Sequence, residues 1–469
     1  MPAWNPSMPW PSGTPGGTSA PAWGGYVRLW IRAAIAAGTT FYLGAHANDR
    51  LDAGNVLGGG GAVGRAALPT LWVDLTCDVL DVDIAGGASS AQGIFSKADA
   101  RTLSITLADP EGIYDPLNPS GPFAYGGHSR LVPGVPVEAF AEVVNGDDGT
   151  WQTHYLFTGT ADSWGEDWVP RASQRRAQMV ATDATKTWVR YDRPEQAAQG
   201  AGETTAQRIN RLVTFYGWTG TVEAPASSAV TLQATTLAQS GWELLNRVLD
   251  DELGWIAFTP EGHLRWCNRD AWSAITPPVL ALGCPDLEDV GDTFHDVLVD
   301  ASPSNLDLQM KNSVYAAREG GTSQHASSSS SLERYGPYEY QRTDLGLATD
   351  TQAATWATMV VQLYAFPAVQ LEDVTLRPAL DPAAWEVWNP ALAIRMVTDL
   401  VRVVWAPPGI PEHRVDGLLR VVGVSHRITR SEWSIKWELV AASNLASSGF
   451  IFTLGPDAND RLDAGFVLG

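Results

Sequence analysis

Apolar residues that alternate with polar ones, in short runs cut by glycine and proline, constrain this chain to a mainly β fold. Leu71, Val73, Leu75, Cys77 and Val79 predict one strand face. Leu80, Val82 and Ile84 continue on the opposite parity, as expected where a β-bulge adds one residue. Leu103, Ile105 and Leu107 predict another strand, and 135–144 and 154–160 two more. Leu419, Val421 and Val424, then Trp433, Ile435, Trp437 and Leu439, predict a closing pair around a polar turn. Strands this short and this often interrupted point to a barrel or sandwich.

The middle of the chain changes period. Ile209, Leu212, Val213 and Tyr216 recur as on a helix face. Ser240 followed by Glu243 fits a capping box, in which each side chain satisfies the other residue's backbone N–H. It opens a helix carrying Trp242, Leu245 and Leu249 on one face, with Gly254 placed to stop it. The runs 255–258 and 264–267, around Pro260-Glu261-Gly262, predict a β-hairpin. The serine run 327–331 is expected to be a mobile loop. Ala353, Trp356, Val360 and Leu363 predict a helix ending before Pro367.

At 469 residues, the length suggests roughly three domains. Hydrophobic residues make up 45% and charged residues 18%, a globular balance. Cys77, Cys267 and Cys284 are odd in number and far apart, which argues against a disulfide framework or a zinc site. No basic segment followed by an apolar one marks a secretory signal, and the stretch 29–37 contains Arg32 and is too short to span a bilayer. A net charge of −21 excludes a dominant phosphate-gripping surface. It suits a pore that passes DNA without holding it.

Motifs for chemistry are sparse. Gly59-x-Gly61-x-x-Gly64 has the letters of a dinucleotide fingerprint, but no strand precedes it and Pro69 comes soon after, so a linker is expected. GxSxG, a P-loop and HExxH are absent. Asp250, Asp251 and Glu252, and Glu288, Asp289 and Asp292, supply carboxylates that a glycosidase could use. Such runs are more often solvated, and the first is expected to be a polar helix end. The oxygen-rich run around Asp457, Asn459, Asp460 and Asp463 lacks EF-hand spacing, so no metal is expected. The 20 tryptophans are expected mainly in cores and interfaces, with sugar stacking as the rival use.

One peptide occurs twice. Residues 41–58 and 452–469 agree at 14 of 18 positions and share ANDRLDAG. Phe41, Leu43, Asp49, Arg50, Leu51, Asp52, Val56 and Leu57 correspond to Phe452, Leu454, Asp460, Arg461, Leu462, Asp463, Val467 and Leu468. An 18-residue peptide with apolar residues so spread has no core of its own, so these residues are expected to bind a partner surface. The Pro/Gly-rich residues 1–25, with Trp4, Trp10 and Trp23, read as an extended arm.

Ala108-Asp-Pro-Glu-Gly-Ile-Tyr-Asp-Pro-Leu-Asn-Pro-Ser-Gly-Pro122 resembles a stretch of the minor tail proteins of long-tailed phages of GC-rich hosts. Gly134-Val-Pro-Val137, then Phe157-Thr-Gly159 through Asp162-Ser-Trp164, resemble the next segment of those proteins. Trp242-Glu-Leu-Leu245, Gly254-Trp255, Gly262-His-Leu264, Val421-Val-Gly-Val424, His426–Ile428 and Trp433–Leu439 continue the resemblance in order, over most of 70–442. That family is similar to baseplate hubs. The resemblance implies two β-barrel-like hub domains with an α/β insertion between them, a homotrimer, and no catalytic residues.

The expectation is therefore an α+β, mainly β chain with extended terminal segments. Its divisions are an arm with the first repeat at 1–61, a first barrel-like domain at 62–190, and an α/β insertion at 191–285. A second barrel-like domain with helix 349–365 comes next at 286–449, and the second repeat at 450–469. The expected role is structural, without enzymatic activity or cofactor. The chain would join the tail tube to the distal tip of a virion, after assembly in the host cytoplasm. Expected partners are other copies of itself, the distal tail protein, the tape-measure protein and other tip proteins, with genome DNA passing unbound and no membrane insertion. A tail-tip wall hydrolase and a receptor-binding adhesin are the alternatives.

Overall fold

The computed structural model describes residues 27–36, 70–88, 95, 97–125, 128–145, 149–167, 175–190, 195–225, 228, 230–283, 295, 297–306, 310–366, 368–380, 384–405 and 415–442. Both ANDRLDAG copies lie outside the described residues, as do Trp4, Trp10, Trp23, the 59–64 glycine motif, Cys284, and Glu288, Asp289 and Asp292.

Strands dominate, with seven α-helices among the described residues, so the chain is mainly β within an α+β fold. Thirteen strands share one sheet. Its path runs Thr70–Asp74, Val27–Ala36, Pro136–Val144, Trp151–Asp167, Arg176–Thr182, Asp99–Ala108, Val79–Gly87, Val415–Thr429, Trp433–Ala441, Ala368–Leu376, Leu298–Leu306. Leu400–Trp405 joins on the Val415–Thr429 strand, and Leu280–Gly283 pairs with it in parallel. Among the described residues this path is open at both ends and closes into no barrel.

Alternation explains which face each strand buries. Leu103, Ile105 and Leu107 are buried, as are Val137, Ala139, Ala141 and Val143 on the strand three places along the path. Val27, Leu29, Ile31, Ala33 and Ile35 do the same, so part of the expected arm belongs to the sheet. Burying Val27, Leu29, Ile31 and Ile35 contributes ~2 kcal/mol each, enough to hold a strand flanked by Pro/Gly-rich chain.

The run Leu71 to Val79 is not one strand. It stops at Asp74, and Thr76–Asp78 form a short 3-10 turn. Asp74 Oδ1 accepts from the Thr76 N–H (2.9 Å), and the Thr76 hydroxyl accepts from the Ile31 N–H (2.9 Å), which turns the chain. The expected bulge is present where the register with Asp99–Ala108 shifts between Val79 and Asp81.

The two halves of the sheet meet along Val79–Gly87 and Val415–Thr429. On one edge of the latter strand residues 415–420 pair with Leu400–Trp405 and 423–429 with Val79–Gly87, while 419–428 pair with Trp433–Ala441 on the other edge. Glycines permit this approach. A Cβ on Gly87, whose φ is +103°, would lie 2.5 Å from the Val422 oxygen, and one on Gly423 would lie 2.7 Å from the Ala88 oxygen.

Two α/β excursions leave the sheet. The first carries helices Thr205–Tyr216 and Gly241–Glu252 and the hairpin Trp255–Phe258/Leu264–Cys267. The capping box is formed, with Ser240 accepting from the Glu243 N–H. The left-handed cap is Leu253, φ 55°, and not Gly254. Gly254 serves close packing instead, because a Cβ there would meet the Cys267 oxygen at 2.4 Å.

The second excursion, described at 310–366, lies between the paired strands Leu298–Leu306 and Ala368–Leu376, whose last partners are Leu306 and Ala368. It places helix Asp350–Tyr364 on a sheet of Ser313–Arg318, Gln324–Ser327 and Glu339–Leu345. Ala353, Trp356 and Val360 are buried as expected, with Tyr364 taking the last buried position and Leu363 only partly covered. The serine run is ordered, contrary to the loop expectation. Ser328 caps helix Ser329–Tyr335, and buried Ser331 bonds to Ala365 and Asn312. Low complexity does not prevent order when each hydroxyl has a partner.

Candidate functional site

A cleft of about 300 Å³ opens where three parts of the chain meet. Strand Trp151–Asp167 contributes Thr153, His154 and Tyr155. The first excursion contributes Glu223, Trp255, Phe258 and His263. The segment 392–396, after helix Ala384–Leu392, supplies Ile394, Arg395 and Met396.

Glu223 is the centre of charge. Its Oε1 is 2.8 Å from His263 Nδ1, and its Oε2 accepts from Arg395 at 3.3 Å with Arg265 at 3.9 Å. Glu223 and His263 adjoin because strand Val222–Glu223 runs parallel to Leu264–Cys267. Arg265 also donates to Thr398 Oγ1 (2.6 Å), tying the hairpin to the second half. On the opposite wall, His154 Nε2 lies 3.0 Å from Asn389 Oδ1.

Below the cleft, buried Arg420 donates to the carbonyls of Val397, Trp272 (3.2 Å) and Ala274 (2.9 Å). Burial pushes its pKa down to about 10, so it stays charged at neutral pH. It clamps Val397, a β-branched residue at φ 71°, where side chains are strained. Met396 and Arg395 are thereby held at the rim.

A Glu–His pair can serve as a base, but Glu223 already faces two guanidiniums. No hydrogen bond among the described residues links the His263 ring to a hydroxyl or thiol. No group of three His, Cys, Asp or Glu side chains among the described residues lies close enough to hold a metal ion. The cleft is an ion-paired junction of three chain segments.

Asp250, Asp251 and Glu252 do end helix Gly241–Glu252, but the last two are not solvated. Asp251 and Glu252 are buried. Glu252 accepts from Thr205 Oγ1 (2.6 Å) and Asp251 from the Gly346 N–H (2.9 Å), so packing between helices and against the second excursion hides them. The sixteen residues of the two repeats expected to bind a partner, from Phe41 to Leu57 and from Phe452 to Leu468, all lie outside the described residues. Glu223, His263, Arg265 and Arg395 escaped sequence reasoning. They come from distant segments, and only His263 and Arg265 sit in recognised runs, which read as a turn and a strand.

The family-like runs are structural in detail. Asp109 accepts from the N–H groups of Ile113 (2.6 Å) and Tyr114 (2.9 Å), closing the 108–122 turn. The Tyr114 hydroxyl donates to Asp78 (2.6 Å), and burial together with that carboxylate pushes its pKa up. Asp162 pairs with Lys186 (2.6 Å), which also donates to the Thr160 carbonyl, and a Cβ on Gly159 would strike the Thr182 oxygen at 2.4 Å.

No protein-family model and no curated protein sequence matches the chain. Among solved structures it is similar to a 43 kDa tail protein of prophage MuSo2 from Shewanella oneidensis, at TM-score 0.49 and 12% identity, covering 79% of this chain and 94% of that one. A tail protein from Neisseria meningitidis MC58 gives 0.49 and 12%, covering 79% and 93%. Prophage tail protein gp18 from Listeria monocytogenes EGD-e gives 0.42 and 11%, covering 78% and 95%.

Proposed function

We propose that the chain is a structural component of a phage tail tip, a hub ring joining the tail tube to the distal tip and letting DNA pass. The observation that carries this reading is the use of the family-like runs. Asp109, Tyr114, Gly159 and Asp162 build turns and strand contacts, and the runs at 421–428 and 433–439 form the seam and closing strand of a two-part sheet. The α/β elements from Thr185–Arg190 to Asp270–Ser273 come between those parts along the chain, the order that two β units around an insertion would have.

In this reading three subunits, each giving two related β units, surround a six-fold tube and bury edge strands such as Thr70–Asp74 and Leu298–Leu306. The tape-measure protein, the distal tail protein and other tip proteins bind around the ring. The charge of −21 leaves the lumen acidic or neutral, so DNA slides without counterion-driven retention. Quantitative mass spectrometry of intact tails tests this, with three copies per tail expected. One or six copies contradicts the ring, and lysis of purified peptidoglycan by the protein favours a hydrolase instead.

A further inference from the structure

We propose that the contact between the two α/β excursions is a proton-controlled latch, closed while Asp251 carries a proton and loosened when it ionises. The proposal is independent of the tail reading. Its geometry is that of a docked module. Residues 310–366 lie between the paired positions Leu306 and Ala368, and the Lys311 N–H bonds to the Tyr364 carbonyl (2.8 Å). Undocking a unit joined at one such pair leaves the sheet's own ladder intact.

Away from that pair it is held by Phe95, whose ring packs on Tyr340, Trp356 and Tyr364, and by the first excursion. The Gln233 N–H donates to the Gly346 carbonyl (2.7 Å), the Ala348 N–H to the Thr231 carbonyl (2.9 Å), and Trp356 Nε1 to the Asp250 carbonyl (3.1 Å). At the centre the Gly346 N–H donates to Asp251 Oδ1 (2.9 Å). The approach is so close that a Cβ on Gly346 would lie 2.6 Å from Asp251 Oδ2.

The charges around Asp251 come from every packed element. Arg247 and Asp250 lie on its own helix, Arg342 on strand Glu339–Leu345, and Arg208 on helix Thr205–Tyr216. Lys97 and Arg342 pair with Asp250 at 3.1 and 3.3 Å, and Glu319 with Arg247 at 3.3 Å. Lys97, Arg342 and Arg247 are therefore already engaged by other carboxylates, as Arg208 is by Glu203. Desolvation outweighs the Gly346 hydrogen bond and the arginines, and the Asp251 pKa rises from 3.8 to about 7.

Undocking returns the carboxyl to water and to its ordinary range, so docking takes up a proton between about pH 4 and 7. A raised carboxyl pKa makes closure strongest below about pH 4, weakening by about tenfold per pH unit up to about 7 and flat above.

Hydrogen exchange on the full chain tests this, with protection factors corrected for the intrinsic pH dependence. Amides of Gly346 and Ala348 should lose protection at least tenfold between pH 5 and 7.5, while those of strand Ser313–Arg318 keep theirs. Asp251→Asn should hold the latch closed at pH 7.5. Asp250→Asn, which leaves the buried carboxyl in place, should retain the pH response. Constant protection at Gly346 in the wild-type chain overturns the proposal, and so does an unchanged response in Asp251→Asn or a lost one in Asp250→Asn. If the Asp251→Asn chain does not fold, the wild-type comparison against Ser313–Arg318 decides alone.

Discussion

His426 sits on the seam strand opposite Ile84, buried, with Trp433 Nε1 donating to its Nδ1 (3.4 Å). That bond makes Nδ1 an acceptor and leaves the proton on Nε2. Burial, then the nearby Arg101 charge, pushes its pKa down to about 3. A depressed pKa contributes stability that is complete above about 6.5 and is lost as pH falls toward 3, at about 1.4 kcal/mol per pH unit. NMR of the imidazole should therefore show a neutral ring at pH 5, and a midpoint near 6.5 would refute the burial argument. Asp251 works with the opposite sign over part of the same range, so the two groups partly offset each other between about pH 4 and 6.5. Among charged residues, burial is rewarded only where carbonyls or carboxylates replace water, as around Arg420.

At the scale of elements, close backbone approach sets the packing of the first excursion. Helix Gly241–Glu252 ends against strand Leu264–Cys267 through Gly254, with no room for a methyl group beside the Cys267 oxygen. Gly254→Ala forces helix end and strand apart and should destabilise the chain by ~2 kcal/mol in urea unfolding. A change within about 0.5 kcal/mol would mean that the hairpin moves freely relative to the helix. Ser328 and Ser331 show the same dependence on neighbours: one caps a helix, and the other is buried and donates to the carbonyl of Ala365, the C-cap of helix Asp350–Tyr364. Their local sequence resembles a linker, yet the carbonyl of Ala365 and the Asn312 side chain make it a structural joint.

For the whole molecule, the last strand of the sheet among the described residues is Trp433–Ala441, which precedes the second repeat. Deleting 452–469 should leave the melting temperature within about 2 °C of the intact chain, since no described core residue is lost. Tail assembly should fail if the duplicated peptide docks on a partner. Normal, infectious tails from that deletion would remove the support for Asp460, Arg461 and Asp463 as partner contacts. A large drop in melting temperature would place the peptide in the stability of this chain instead.

Local pattern by itself determined much of the secondary structure. The strands at Leu103–Leu107 and Trp433–Leu439, the hairpin at Trp255–Cys267 and the Ser240 capping box all arise from alternation and short-range bonds. Such signals are legible because a strand face or a cap involves residues a few positions apart. Tertiary structure decided what distance along the chain hides. Pairing of Val79–Gly87 with Val415–Thr429 made one open sheet of the two halves. Burial reversed the reading of Asp251 and Glu252, and Glu223 met Arg395 from 172 positions away. Charge and polarity report what a side chain prefers in water, whereas burial depends on which surface the fold brings against it, and that is set by contacts between residues far apart in sequence.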